Sequence, residues 1–188
     1  MNAVAQTFNL KSLKFEVLLR EEMEFVLLSI LTFAIPMVFR HPQVLVGTVV
    51  NFTLIMGALH VRGLKKNIIL CILPSISAIS SNVLLGTMTP FIIVLAPAIW
   101  AGNILMVYLI KLMNVQKKLN LVFTLLISIM IKTLLIGAYA LVFIKTSVIP
   151  ANLFYSMSIL QFITAAIGSI LVFATLFLGS MFQLKAHD

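Results

Sequence analysis

The stretch LVFTLLISIMIKTLLIGAYALVFI, residues 121–144, contains 24 residues and one charged side chain, Lys132. A transmembrane helix needs about 20 mostly apolar residues, so this stretch predicts a helix that crosses a membrane. Lys145 follows it directly, and Pro150 lies shortly beyond. Because other segments of the chain share this character, the stretch decides the fold class.

The whole chain has 188 residues, of which 62% are hydrophobic and only 10% are charged. Soluble domains are usually about 45–50% apolar and about 25% charged. The composition therefore predicts an all-α integral membrane protein, a bundle of six transmembrane helices in the cell membrane. It leaves no room for a soluble catalytic domain or a nucleotide-binding domain. The predicted spans are 24–39, 44–61, 68–86, 90–110, 121–144 and 155–182.

The net charge of +8 indicates how these spans are oriented. Cytoplasmic loops of membrane proteins carry an excess of Lys and Arg. With six spans, only Arg40 and Lys145 lie on one side, and we expect the other side and both termini to be cytoplasmic. No basic run is interleaved with aromatics as in nucleic-acid-binding proteins, so we expect no nucleic-acid partner. The basic residues on the cytoplasmic side are Lys11, Lys14, Arg20, Arg62, Lys65, Lys66, Lys111, Lys117, Lys118 and Lys185.

Residues 1–23 precede the first predicted span as a cytoplasmic tail. In it Leu10, Leu13, Val17 and Leu18 recur near helical spacing, with charged residues between them. This pattern favours an amphipathic helix that lies at the lipid interface. The alternative is that the first span extends into water.

The central position of Lys132 in its span is the main functional signal. A lysine that faces lipid at the bilayer centre costs about 2.5–3.5 kcal/mol or more, so we expect Lys132 to face the bundle interior or a cavity. Thr124 and Ser128 precede it at steps of four, and Tyr139 follows seven residues later. These residues share one helix face and form a predicted polar stripe.

Other spans contribute amide side chains, namely Asn51, Asn103 and Gln161. Gly47 and Ala58 flank Asn51 on its face, and Gly168 and Thr175 follow Gln161 at steps of seven. Small residues on these faces either let helices approach closely or leave space for a ligand. Each amide alone is also explained by hydrogen bonding between helices, worth about 0.6 kcal/mol.

Lys132 has no carboxylate within any span, because Glu16, Glu21, Glu22, Glu24 and Asp188 all lie near the predicted cytoplasmic ends. One hypothesis is that the carboxylate or phosphate of an anionic ligand completes the pair. The other is that Lys132 is neutral or bound by the amides, as a structural link between helices.

Two further features lie near this region of the chain. Trp100 is close to Asn103 and either stacks on a ligand ring or simply packs. Between Pro74 and Pro90 lies a serine cluster, which predicts a broken element at a cavity or an irregular helix end. Its members are Ser75, Ser77, Ser80 and Ser81, together with Asn82.

The sequence contains no motif and no closely spaced set of residues typical of catalysis or metal binding. His41, His60 and His187 are far apart, Cys71 is the single cysteine, and no HExxH, GxSxG, Walker A or GxGxxG motif occurs. General acid–base catalysis needs a carboxylate or histidine near the reacting group. We therefore predict no enzyme activity, no metal and no cofactor. No acidic proton relay crosses the spans, so we expect another subunit to supply coupling energy.

Several short segments resemble the substrate-binding S components of energy-coupling factor (ECF) vitamin transporters, over nearly the whole chain after the tail. The resemblance implies a six-helix bundle with cytoplasmic termini and an outward-opening pocket. It implies as partners a transmembrane coupling protein and two ATP-binding-cassette (ABC) ATPases. Asn51, Asn103, Lys132 and Gln161 are its pocket candidates. The segments are VNFTL at 50–54, GLK at 63–65, ILPSISA at 72–78, MTPFI at 88–92, GNIL at 102–105, SIMIK at 128–132 and QFITAA at 161–166.

The chain departs from this family in its first span. Many S components carry Ala-x-x-x-Ala there for docking, whereas this chain reads SILTFA at 29–34. The expected function is uptake of a small micronutrient as the substrate-binding subunit. The alternative is a structural or assembly subunit of a larger membrane complex. The candidate substrate-binding residues are Lys132, Asn103, Gln161, Asn51, Trp100, Ser128 and Tyr139.

Overall fold

The computed structural model describes residues 2–39, 42–81, 88 and 90–185. All regular secondary structure in these ranges is helical, which confirms the predicted all-α class. The helices are α1 (Asn2–Val38), α2 (Gln43–His60), α3 (Leu64–Ser81), α4 (Pro90–Ile110) with a π-helical continuation (Lys111–Gln116), α5 (Leu121–Lys145), the short α6 (Leu153–Met157) and α7 (Ile159–Lys185).

Five of the helical segments are long and apolar enough to cross a membrane. The chain is accordingly a multi-pass membrane protein, as its composition predicts. The five segments are Gln43–His60, Leu64–Ser81, Pro90–Gln116, Leu121–Lys145 and Leu153–Met181.

Helix α1 is not among these five, although the sequence predicts a span there. Glu21, Glu22 and Glu24 interrupt its apolar part, which leaves the 14 uncharged residues from 25 to 38. At 1.5 Å per residue they cover about 21 Å, less than the roughly 30 Å of a bilayer core. The first span and the cytoplasmic position of the termini therefore stay predictions.

The predicted tail helix and the first predicted span form one helix, α1, with no break near residue 23. Where this helix lies relative to a membrane surface stays a prediction. The side chains of residues 2–15, including Leu10 and Leu13, lie outside the described part of the structure. So do residues 82–86 of the predicted third span with Asn82, as well as Arg40, His41 and His187.

A polar layer separates two hydrophobic clusters along α4 and α5. On one side, Met106 and Ile129 belong to a cluster that also includes residues of α2, α3 and α7. On the other side, Leu95 and Ile136 pack with Ile149 and with α6. Asn103 and Lys132 lie between the two clusters in sequence, so the apolar cores hold them in the interior.

At the end of the bundle where α2 meets α3, buried Glu21 of α1 binds the connecting turn. Its carboxylate, 7% exposed, accepts hydrogen bonds from the Arg62 backbone N–H at 2.8 Å and from Lys66 Nζ at 3.3 Å. Lys111 Nζ donates to the Val61 carbonyl oxygen at 2.6 Å. These hydrogen bonds therefore connect α1 and the π-helical continuation of α4 to the turn between α2 and α3.

Two glycines bring α2 and α7 close together. A Cβ on Gly47 would lie 2.8 Å from Thr164 Cγ2, and a Cβ on Gly168 would lie 2.9 Å from the backbone nitrogen of Phe52. Such distances are too short for a side chain of any size. Of the two sequence-based options for these faces, close helix approach is therefore the one that Gly168 serves, whereas Gly47 allows close approach and also borders a cavity.

We predict that Gly168→Ala destabilises the protein by about 1–3 kcal/mol, the usual cost of overpacking. The added methyl group would press on backbone atoms of α2, which cannot rotate away. Thermal unfolding in detergent micelles measures the effect. The matched control is Gly179→Ala on the same helix, where nothing lies within 4 Å of the added Cβ. There alanine stabilises by up to about 1 kcal/mol through its helix propensity. Equal melting temperatures for the two variants would contradict the close packing.

Candidate functional site

Lys132 lies in the middle of α5 and is only 1% exposed. Its Nζ donates a hydrogen bond to Asn51 Oδ1 of α2 over 2.5 Å. Within the described residues, Lys132 forms no ion pair with a carboxylate. Lys132 thus lies in the interior, as the sequence predicts. Among the described residues, its hydrogen-bond partner is the Asn51 amide.

Asn51 connects three helices through its side chain. Its Nδ2 donates to the Gly47 carbonyl oxygen at 2.8 Å and to Thr164 Oγ1 of α7 at 3.1 Å. Thr164 Oγ1 in turn donates to the Gln161 carbonyl oxygen at 3.2 Å. The result is a chain of hydrogen bonds from α5 through α2 to α7, made possible by the close approach at Gly47.

A third glycine, Gly102, lets the Lys132 side chain lie against α4. A Cβ on Gly102 would lie 2.9 Å from Ile136 Cγ1 and 3.4 Å from Lys132 Cγ. Helix α4 therefore approaches α5 closely at this level. The aliphatic stem of Lys132 lies against this glycine, which leaves its Nζ to reach across to Asn51.

A cavity of about 120 Å³ lies beside this chain of hydrogen bonds. Four of the seven predicted site residues line it together: Lys132, Asn51, Asn103 and Gln161. The remainder of its wall is largely apolar, with Val46, Val50, Ile92, Ile99 and Leu160 among its members. A mostly apolar wall with a few polar groups is the usual make-up of a small-molecule site.

Asn103 is a buried residue of the cavity wall, 2% exposed. Its Nδ2 donates to the backbone carbonyl oxygen of Cys71 at 3.2 Å. Its Oδ1 accepts no hydrogen bond within the described part of the chain. A buried acceptor without a partner costs about 1–3 kcal/mol, so this oxygen lowers the stability of the fold.

The other three predicted site residues do not line the cavity. Ser128 is fully buried and donates to the Thr124 carbonyl oxygen of its own helix at 2.7 Å. Tyr139 stacks at a tilt on Phe143, with the ring centroids 4.7 Å apart. Trp100 lies one residue beyond Ile99, which lines the cavity, but does not line it itself. The polar stripe on α5 therefore reaches the cavity only at Lys132.

Sequence reasoning did not place four polar residues of the cavity wall among the candidates: Gln43, Ser75, Ser156 and Thr164. Thr164 follows Gln161 by three residues, a spacing that puts both on one helix face, and this signal could have found it. Ser75 belongs to the serine cluster for which a cavity border is one of the predicted alternatives. Gln43 and Ser156 lie near helix starts, where no periodic signal singles them out.

The polar groups of this cavity suit binding better than acid–base chemistry. Among the described residues that line it, none is a carboxylate or a histidine. An empty apolar cavity of about 150 Å³ can hold benzene, so a space of about 120 Å³ suits a single small ring or a few water molecules.

A larger open groove of about 480 Å³ lies elsewhere, between α1, α2 and α7. Its charged members Arg20 and Glu24 already pair with each other at 3.3 Å. Gly179 and Ser180 of α7 also line it and are exposed. The smaller cavity, whose wall includes Lys132 and several amide side chains, is therefore the stronger candidate site.

Comparisons of the chain with protein-family models, with curated proteins and with solved structures find no match. The resemblance to S components accordingly rests on short sequence segments alone.

We predict that the Lys132–Asn51 hydrogen bond couples the stability of α5 to that of α2. Asn51→Leu leaves the buried Lys132 amine without its acceptor and lowers the free energy of unfolding by about 1.5–3 kcal/mol. Combining it with Lys132→Met recovers part of this loss, because neither polar group then remains unpaired.

A double-mutant cycle on the purified protein measures this coupling, with Thr133→Val as the control. Thr133 lies next to Lys132 and bonds only within its own helix. We expect a coupling energy of about 1–3 kcal/mol between Asn51 and Lys132. Strictly additive effects of the two substitutions would show that this hydrogen bond does not join the helices.

Proposed function

We propose that this protein is the substrate-binding membrane subunit of an uptake system for a small, vitamin-like micronutrient. The observation that carries the proposal is the cavity between the helices, whose wall includes Lys132, Asn51, Asn103 and Gln161.

The burial of Lys132 without a carboxylate partner among the described residues favours a ligand that supplies a negative charge or a further acceptor. An ammonium buried without a counter-ion is costly in a membrane interior, and Asn51 gives it one neutral acceptor. A carboxylate or phosphate on the substrate would supply the missing negative charge. A carbonyl oxygen would supply a further acceptor. Either group would make binding more favourable than an empty cavity.

The position of the cavity supports entry from the outer face of the cell membrane. Its wall includes Pro36 near the end of α1, Gln43 at the start of α2, Ala78 late in α3 and Ile92 early in α4. These helix ends adjoin the loops that carry only Arg40 and Lys145 as basic residues. By the positive-inside rule, these loops are external and both termini are cytoplasmic.

Energy for transport would come from separate subunits in this proposal. The sequence holds no nucleotide-binding motif, and its acidic residues lie outside the predicted spans or, for Glu24, at the first residue of one. The partners are therefore a transmembrane coupling protein and ABC-type ATPases, as the resemblance to S components implies. Because α1 lacks an Ala-x-x-x-Ala pattern, the docking surface differs from that of many S components. The protein itself performs no catalysis in this scheme.

A structural or assembly subunit of a larger membrane complex is the second candidate. The hydrogen bonds from Lys132 through Asn51 to Thr164 favour it, because each of them is made inside the protein. The two candidates differ in what the cavity contains and in which proteins accompany the chain.

We predict that the tagged protein, solubilised from its native membranes, co-purifies with a coupling protein and ABC-type ATPases. Affinity capture followed by mass spectrometry identifies the partners. Lys132→Met should recover the same partners, because the residue is buried away from the surface. An unrelated membrane protein with the same tag is the negative control. Capture of other complex subunits without any ATPase would overturn the transport proposal in favour of the structural one.

A further inference from the structure

We propose that the open groove between α1, α2 and α7 binds a zwitterionic phospholipid whose headgroup ends in a primary ammonium group, as in phosphatidylethanolamine. The phosphate binds at Arg20, the ammonium group binds at Glu24, and an acyl chain lies along the apolar part of the groove. The groove shares no lining residue with the cavity around Lys132. The inference is therefore independent of the proposed function.

The groove exists because α1 and α7 both pack on α2 without packing on each other in the described part of the chain. Half-buried Met56 of α2 lies between them. On the α7 side, nothing lies within 4 Å of a Cβ built on Gly179. The open space amounts to about 480 Å³, against about 120 Å³ for the cavity. Its size and shape suit an elongated ligand at the outer surface of the bundle.

The groove has a polar end and an apolar end. Arg20 and Glu24 of α1 line the polar end, and Leu28 lies eight residues beyond Arg20, about 12 Å further along the helix. Helix α2 runs antiparallel to α1 here, so His60 is level with the charged pair and Met56 with Leu28. Charge and hydropathy therefore change along the groove as they do along a phospholipid.

The polar end lies where two of the membrane-spanning segments end. The segment Gln43–His60 ends at His60, and Leu153–Met181 ends one residue after Ser180, and both His60 and Ser180 line the groove. Headgroups lie at the ends of spanning helices, and acyl chains lie deeper. A lipid of the surrounding leaflet thus brings its headgroup to the charged pair and its chain to the apolar end.

The charged pair leaves groups of both signs for a headgroup. Arg20 Nε binds Glu24 Oε1 at 3.3 Å, while the two Nη atoms of Arg20 have no partner among the described residues. A guanidinium binds phosphate oxygens through two parallel N–H donors. Glu24 Oε2 accepts no hydrogen bond in the same ranges, so it can accept one from an ammonium group.

The local charge disfavours an anionic headgroup, although the chain as a whole carries +8. Arg20 and Glu24 cancel each other, and Glu16, one turn before Arg20, adds a carboxylate on the same face of α1. Choline carries a positive charge but has no N–H to donate. An ethanolamine headgroup supplies both the charge and the donors, and it is therefore the headgroup that the groove fits.

The test is a competition measured by native mass spectrometry on the purified, delipidated full chain in detergent. Phosphatidylethanolamine, phosphatidylcholine and phosphatidylglycerol with identical oleoyl chains compete in equal amounts for the first bound lipid. We expect at least about a threefold preference for phosphatidylethanolamine over each of the others, the effect of one exposed charged contact. A smaller preference, or a preference for another lipid, would overturn the proposal.

Variants locate the preference in the groove. Glu24→Gln should lower it below about twofold, because the ammonium group loses its anionic acceptor. Glu22→Gln is the matched control: it removes the same charge two residues away, where Glu22 pairs with Lys66 outside the groove, and the preference should persist. Gly179→Leu fills open space without changing any charge and should also abolish the preference. Melting temperatures show that each variant is folded.

A preference that persists in Glu24→Gln or in Gly179→Leu would overturn the assignment, and so would an equal loss in Glu22→Gln. The same spectra distinguish another occupant. Dimers of the wild type that disappear in Gly179→Leu would assign this face to a second copy of the chain instead of a lipid. The lipid competition uses the isolated chain, so its failure leaves the capture of transport partners unaffected.

Discussion

A lysine amine in the middle of an apolar bundle must find an acceptor, and here Asn51 supplies it over 2.5 Å. Much of the surrounding structure follows from this requirement. Helix α2 must lie beside α5 at this level, and Asn51 must keep its own amide satisfied through Gly47 and Thr164. The same contacts hold α7 beside α2. Hydrogen bonds that begin at one buried amine therefore connect α5, α2 and α7.

Glycine makes this polar layer possible. Gly47 and Gly168 let α2 and α7 approach until amide and hydroxyl meet, and Gly102 makes room for the stem of Lys132 between α4 and α5. Apolar clusters close the layer on both sides along these helices. What remains is a small, mostly apolar cavity whose wall includes Lys132 and amide side chains. This composition is the physical basis for treating the cavity as a binding site.

The sequence predicts the helices and the interior position of Lys132, because apolar length and the cost of a central charge are local properties. It also points to Asn51, Asn103 and Gln161, each of which is polar where lipid should be. It cannot say which helices are neighbours, so the partnership of Asn51 with Thr164 and the orphan oxygen of Asn103 emerge only from the structure. Helical spacing places Ser128 and Tyr139 on the face of Lys132, but neither lines the cavity: Ser128 donates within α5 and Tyr139 stacks on Phe143. The first span stays a prediction for a related reason: Glu21, Glu22 and Glu24 shorten its apolar part, and of these Glu21 also binds the α2–α3 turn on one side of the bundle.

We infer that the polar layer around Lys132 encloses a ligand. Native mass spectrometry of the wild-type protein and of Lys132→Met, both released from the organism's own membranes, can detect that ligand. We expect a bound small-molecule mass on the wild type that is lost from Lys132→Met. A wild-type protein without any bound small molecule, or one mass retained equally by both, would contradict it.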